Sequence, residues 1–186
     1  EPAWALLALT LPTADEAWLT QFAAGFAALA RQFDLSLVGG DTCRGPLAVT
    51  ITALGHVPHG QALRRSGARP GDGVYVSGEI GAAGLAVRAR RGEITLPAAL
   101  ATHAARRLDY PQPRVALGLA LRGLASAAID ASDGLLADLG HICASSGVGA
   151  RLELARLPLP DGALAVATRE SLVGSGDDYE LCFTVP

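Results

Sequence analysis

The sequence predicts an α/β or α+β protein of two units that divide near residue 58. Three observations point there. Strand-like and helix-like segments alternate along the 186 residues. Composition changes at Pro58, and the stretch 58–73 holds Pro58, Gly60, Gly67, Pro70, Gly71 and Gly73 with Arg64, Arg65 and Arg69, so it reads as a linker or long loop. Several strands also run into turns that set carboxylates against glycine. The expected units are therefore 1–58 and 59–186.

Residues 3–11 read as an apolar strand ended by Pro12, after which Thr13 is expected to cap a helix with Asp15 and Glu16 in its first turn. Leu19, Phe22, Phe26, Leu29 and Phe33 recur at helical spacing, which predicts one buried face. Leu35 to Val38 is a short strand entering Gly39-Gly40-Asp41, and Leu47 to Val57 is a second, rich in Val, Thr and Ile. Beyond the linker, Val74 to Val76 is a strand and Gly81 to Arg90 a helix. Residues 92–113 form a polar, proline-bearing stretch, and Arg114 to Leu124 is helical. Ala127 to Ile129 is a strand entering Asp130. Leu135, Leu136, Leu139, Ile142 and Cys143 make one helix face, with Gly147 as its stop. Ala150 to Leu157 alternates as a strand until Pro158, and Tyr179 to Val185 is the closing strand.

Composition excludes several classes. A net charge of −3 and a pI near 5.8 argue against a nucleic-acid-binding surface. No apolar run reaches the ~18 residues of a membrane helix, and no signal peptide is read. All 15 basic residues are Arg, so a P-loop lysine is impossible and any phosphate chemistry falls to Arg, backbone N–H groups and metal. The chain has no Met and opens on Glu1-Pro2, which predicts an internal fragment or a trimmed product. Three cysteines without CxxC spacing fit a reducing cytoplasm, with Cys143 and Cys182 as small core residues and Cys43 as a filler. The four histidines lack zinc spacing, and no Ser-His-Asp order is legible.

Chemistry concentrates in three segments: Gly39-Gly40-Asp41, Asp130-Ala131-Ser132-Asp133-Gly134 and Gly174-Ser175-Gly176-Asp177-Asp178-Tyr179-Glu180. A carboxylate costs several kcal/mol to bury unpaired. In glycine turns it holds water or a hard cation such as Mg2+, which in turn holds phosphate. Asp130 and Asp133 stand three apart across a turn, so both can address one ion, and the following helix N-terminus is expected to offer free N–H groups to a phosphate. The plainer alternative is a helix cap. Arg44 is placed to pair with Asp41 or a phosphate. Adjacent residues on a strand face opposite ways, so only one of Asp177 and Asp178 is expected to reach a given ligand while the other caps or pairs. Ser77-Gly78-Glu79-Ile80-Gly81 reads either as a phosphate cradle or as a plain strand–helix turn.

Together these segments resemble one family. The carriers are Val38-Gly39-Gly40-Asp41-Thr42-Cys43-Arg44-Gly45-Pro46-Leu47, Leu63-Arg64-Arg65-Ser66-Gly67-Ala68-Arg69-Pro70-Gly71-Asp72, Ile129-Asp130-Ala131-Ser132-Asp133-Gly134-Leu135, and Gly176-Asp177-Asp178-Tyr179-Glu180-Leu181-Cys182-Phe183-Thr184-Val185-Pro186. In this order, with the opening Pro2 to Pro12, they resemble the thiamine-monophosphate kinases, relatives of aminoimidazole ribonucleotide synthetase and selenophosphate synthetase. The resemblance implies a two-domain synthetase-like fold with mixed sheets flanked by helices, and a cytoplasmic homodimer built on N-terminal strands. It implies ATP-dependent phosphorylation of thiamine monophosphate to thiamine diphosphate by direct in-line transfer. It also implies that Asp41, Asp130 and Asp133 ligate Mg2+, that Gly40, Asp41, Arg65 and Ser132 meet ATP, and that Asp177 lies near the substrate. Further acidic metal turns and dimer strands would precede Glu1, and a pocket-closing part would follow Pro186. A sibling enzyme acting on another substrate, and an inactive nucleotide-binding module, remain as alternatives.

Overall fold

The computed structural model describes all 186 residues, which form two compact units, Glu1–Gly60 and Gln61–Pro186. The first contains β1 (Pro2–Leu11), α1 (Glu16–Gln32), β2 (Ser36–Arg44) and β3 (Ala48–Gly55). Its sheet has the order β2-β1-β3, with β1 parallel to β2 and antiparallel to β3. Parallel neighbours need a crossover, and α1 supplies it. Asp15, not Thr13, caps this helix: its carboxylate accepts from the N–H groups of Ala17 and Trp18 at 2.9 and 3.1 Å, and a charged acceptor also suits the helix dipole. Leu19, Phe22 and Phe26 face an apolar groove shared with Leu7, Leu9 and Leu37. Leu29, expected on that face, is 43% exposed, and Ala30 is buried in its place.

The strand expected to stop at Val38 continues to Arg44. Its register on β1 shifts where Ala5 pairs with Leu37 and Leu6 with Gly39, so Val38 is an extra residue in a bulge. Gly40 follows with φ 146°, and a Cβ there would lie 1.9 Å from the Leu7 carbonyl oxygen. The glycine pair thus lets two backbones approach within a strand, and Asp41 sits in that strand opposite Ala8 rather than in a turn.

The second unit contains β4 (Gly73–Val76), α2 (Ala82–Arg90), α3 (Ala98–Asp109), α4 (Val115–Ala120), β5 (Ala127–Ala131), α5 (Leu135–Ser146), α6 (Arg169–Val173) and β6 (Glu180–Val185). Its sheet is antiparallel, ordered β4-β6-β5. Ile80, Ile129, Leu135, Leu139, Ile142 and Cys182 form one core cluster, and Leu85, Leu100, Ala104 and Leu172 form another among the helices. Helix α3 arises inside the polar stretch 92–113, because Leu100 and Ala104 place a narrow apolar stripe one turn apart. The helix expected over 114–124 covers only Val115–Ala120. Residues 150–157 form no strand; they hold a single 3-10 turn, Leu154–Arg156, with no ladder partner.

Strand β6, central in this sheet, starts on a fully buried carboxylate. Glu180 accepts from Ser77 Oγ, from Arg107, and twice from Arg114, whose Nε bond measures 2.7 Å. Ser77 Oγ accepts in turn from the Leu181 N–H at 2.8 Å. Burial pushes the Glu180 pKa up, but Arg114, Ser77 and Arg107 together outweigh it and hold the group below the usual carboxylate range. Removing one member of such a set strands the others. Glu180→Ala is therefore expected to destabilise the second unit by about 3–5 kcal/mol, read from urea unfolding followed by circular dichroism; a loss under about 1 kcal/mol, the range of an exposed pair, would contradict this.

Candidate functional site

The acidic residues of the second unit are gathered by one backbone clamp. Strand β5 ends at Ala131, residues 132–134 turn, and α5 begins at Leu135 with Gly134, not Ser132 or Asp133, as its cap. The segment leading into β6 lies against this turn. The Asp177 N–H donates to the Ser132 carbonyl and the Tyr179 N–H to the Ala131 carbonyl, both at 2.8 Å. Gly176 permits the approach, since a Cβ there would stand 2.5 Å from the Ser132 carbonyl oxygen.

Side chains along this segment alternate. Asp177 and Tyr179 face outward, while Asp178 is 3% exposed and Glu180 is buried completely. The Tyr179 hydroxyl lies 3.4 Å from Asp177 Oδ1. Its pKa is raised by partial burial, then by Asp177, Asp130 and Asp133, so the phenol stands among all three carboxylates. Asp177 and Tyr179 adopt left-handed φ values of 69° and 50°. Such non-glycine conformations cost about 1–3 kcal/mol each and persist where surrounding structure enforces them. Tyr179 was not a candidate from sequence; only its neighbours were.

Two turns that the sequence offered as possible phosphate sites have backbone N–H groups bonded to internal carboxylates. Asp178 accepts from the N–H groups of Gly81 and Ala83 at 2.7 and 3.4 Å, so the 77–81 turn is no free phosphate cradle. Burial, only partly offset by these bonds and by Arg107, pushes the Asp178 pKa up to about 6. In the turn before α5 the N–H groups of Ser132 and Asp133 donate to Asp138 Oδ2 at 2.9 and 3.0 Å. The sequence offered a cap as the plainer alternative at the 130–134 turn and expected one of Asp177 and Asp178 to cap or pair, but it did not show which N–H groups Asp138 and Asp178 serve, because each acid lies far along the chain or inside a helix pattern.

What stays exposed is Asp130 and Asp133, with Asp177 half-buried beside them. No group of three or more His, Cys, Asp or Glu side chains is arranged to enclose a metal ion. The exposed pair Asp130 and Asp133 is a donor set of the size Mg2+ accepts, since that ion keeps several waters and is held by one or two carboxylates with substrate phosphates. Arg65 is exposed on a loop docked in the same unit: Ser146 Oγ accepts from Gly67 and Ala68 at 3.1 and 3.2 Å, and the Ala128 N–H donates to the Arg64 carbonyl at 2.8 Å. A cavity of 610 Å³ lies elsewhere, between the sheet and Leu139, Ile142 and Cys143, and includes none of the site carboxylates.

In the first unit, Asp41 accepts from the Thr42 N–H at 2.8 Å and from the Cys43 thiol at 3.3 Å. That bond raises the Cys43 pKa, which makes it a poor nucleophile. Thr42, Cys43 and Arg44 line a cleft of 470 Å³ with Leu11 to Ala14.

Comparison with known proteins gives the family. Residues 1–57 match the model of the AIR synthase related protein N-terminal domain, and residues 69–185 match that of the C-terminal domain. The chain belongs to the AIR synthase related protein family. A curated thiamine-monophosphate kinase of Salmonella typhimurium is 50% identical over the whole chain, which spans 59% of that relative's length. The crystal structure of thiamine-monophosphate kinase from Stenotrophomonas maltophilia superposes with a TM-score of 0.91 at 48% identity, covering 99% of this chain and 61% of that one. AaThiL complexed with AMPPCP and TMP superposes at 0.87 with 29% identity, covering 100% and 62%. No helix in this family member is long and apolar enough to cross a membrane.

Asp178 gives a pH signature. Its pKa rises from 3.8 to about 6 in the fold, so the charged form weakens the native state above pH ~6 and this burden fades towards pH ~4. Asp178→Asn keeps an acceptor without the charge. The variant is expected to exceed the wild type in stability at pH 7 by up to roughly 3 kcal/mol, with the advantage disappearing as the pH falls to 4. Thermal midpoints across that range check it, and a pH-independent difference would contradict it.

Proposed function

We propose that this chain carries nucleotide- and metal-binding residues of a thiamine-phosphate kinase, which transfers the terminal phosphoryl group of ATP to thiamine monophosphate and yields thiamine diphosphate. The observation that carries the reading is 50% identity to a curated thiamine-monophosphate kinase along the entire chain, with the clustered carboxylates of the second unit at its centre. The relative that binds an ATP analogue and TMP supports the same pair of substrates.

In this reading Asp130 and Asp133 hold Mg2+ at the exposed turn, and Asp177, fixed beside them, faces the thiamine phosphate. Gly40 and Asp41 are the first unit's candidates for nucleotide and metal, and Arg65 and Ser132 are the second unit's for nucleotide. Mg2+ would neutralise charge on the phosphate oxygens, which in-line transfer requires more than any covalent help. The chain's own part is to orient. It presents carboxylates from a rigid clamp, and arginine, always charged and forked, meets phosphate where a lysine would otherwise stand. The three cysteines are free thiols, in keeping with a cytoplasmic setting. The first unit exposes Trp4, Leu6 and Leu54 at 40–44%, an apolar surface that suits the homodimer.

The test is thiamine diphosphate formation, read by fluorescence after oxidation, with the gene product that contains these 186 residues. Product is expected only when ATP, Mg2+ and thiamine monophosphate are all present. Asp133→Asn is expected to lower the rate by about 100-fold or more, as loss of a preorganised charge at phosphoryl transfer does. Turnover of another phosphate acceptor alone, or undiminished activity in the variant, would overturn the assignment.

A further inference from the structure

We infer that Asp138 is a positioning residue that sets the Asp130–Asp133 turn for metal binding, an inference resting on the function proposed above. Asp138 lies in the first turn of α5 and is 3% exposed, so it cannot reach a ligand in solution. One of its oxygens accepts from two successive backbone N–H groups, Ser132 at 2.9 Å and Asp133 at 3.0 Å. Two bonds from one carboxylate oxygen fix the peptide planes on either side of Ser132. Those planes fix the backbone of Ser132 and hence where the Asp133 Cα stands, and the Asp133 side chain is exposed there.

The opposite face of the same turn is fixed by the Asp177 N–H on the Ser132 carbonyl at 2.8 Å. The two restraints differ in kind. The clamp from residues 177 and 179 sets where the turn sits. Asp138 sets how the turn is rotated by occupying the two N–H groups that precede α5. Asn at this position preserves an acceptor of the same length, whereas Ala removes it. A purely structural Asp138 would change stability in both variants without separating them in metal affinity.

The measurement is Mn2+ binding to the whole gene product with AMPPCP, read from the free-ion electron paramagnetic resonance signal, for wild type, Asp138→Asn and Asp138→Ala. Residues that orient metal ligands typically change affinity by 10–100-fold when removed. Asp138→Ala is expected to weaken Mn2+ binding by about 10–100-fold while Asp138→Asn stays within about threefold of wild type, with amide exchange at Ser132 and Asp133 accelerated in the Ala variant alone. Wild-type affinity in a folded Ala variant would overturn the inference, and so would equal weakening in Asn and Ala. If the Ala variant fails to fold, Asp138→Ser, too short to reach the turn, is read against Asn by the same criterion. Wild-type protein that binds no Mn2+ while making thiamine diphosphate would overturn this inference and leave the kinase reading standing; absence of both would overturn the kinase reading as well.

Discussion

The alternating burial of residues 177–180 governs the site. Asp178 and Glu180 go inward, one onto the head of α2 and the other between Arg107 and Arg114. Asp177 and Tyr179 are thereby forced outward and held in left-handed backbone conformations against the β5–α5 turn. Burying a carboxylate is unfavourable unless donors and counter-charges meet it. Glu180 is met by two arginines and a serine, and the energy so gained can sustain local strain in the outward residues, whereas Asp178 is met only in part. The acidic patch is a consequence of this inward anchoring, not an independent surface feature.

A second consequence concerns anions. Helix starts ordinarily present N–H groups that suit phosphate. Here Asp178 accepts from Gly81 and Ala83 at the start of α2, and Asp138 from the two N–H groups that precede α5. Both acids come from within the second unit and tie its turns together. Exposed arginines such as Arg65 are the cationic side chains open to a polyanion in a chain that contains no lysine.

Much of the architecture was legible because periodicity is local. The apolar run of β1, the spacing of Phe22 and Phe26 in α1, and the strand closing on Val185 each declare themselves within a few residues. Errors arose where distant partners decide. The glycines before Asp41 looked like a turn, yet they serve a close approach to Leu7 within a longer strand. Residues 150–157 alternate like a strand but find no neighbour in the sheet. Helix α3 was hidden by its polar side chains, since only Leu100 and Ala104 mark its buried stripe. Of the site, Asp130, Asp133 and Asp177 stand out by sequence and the fold brings them together. Tyr179 and Asp138 did not stand out, because one is an aromatic in an ordinary strand entry and the other a lone acid on an apolar helix, and only their contacts reveal what they hold.

The most direct test of the anchoring claim is native-state amide hydrogen exchange at Asp177 and Tyr179, compared with the exposed amides of the preceding loop. If the inward anchors hold the clamp, these two amides exchange only through large-scale opening of the second unit and are protected as strongly as those of β6. Exchange at the rate of the neighbouring loop would show that the clamp is not maintained, and that the outward carboxylates are not fixed in place.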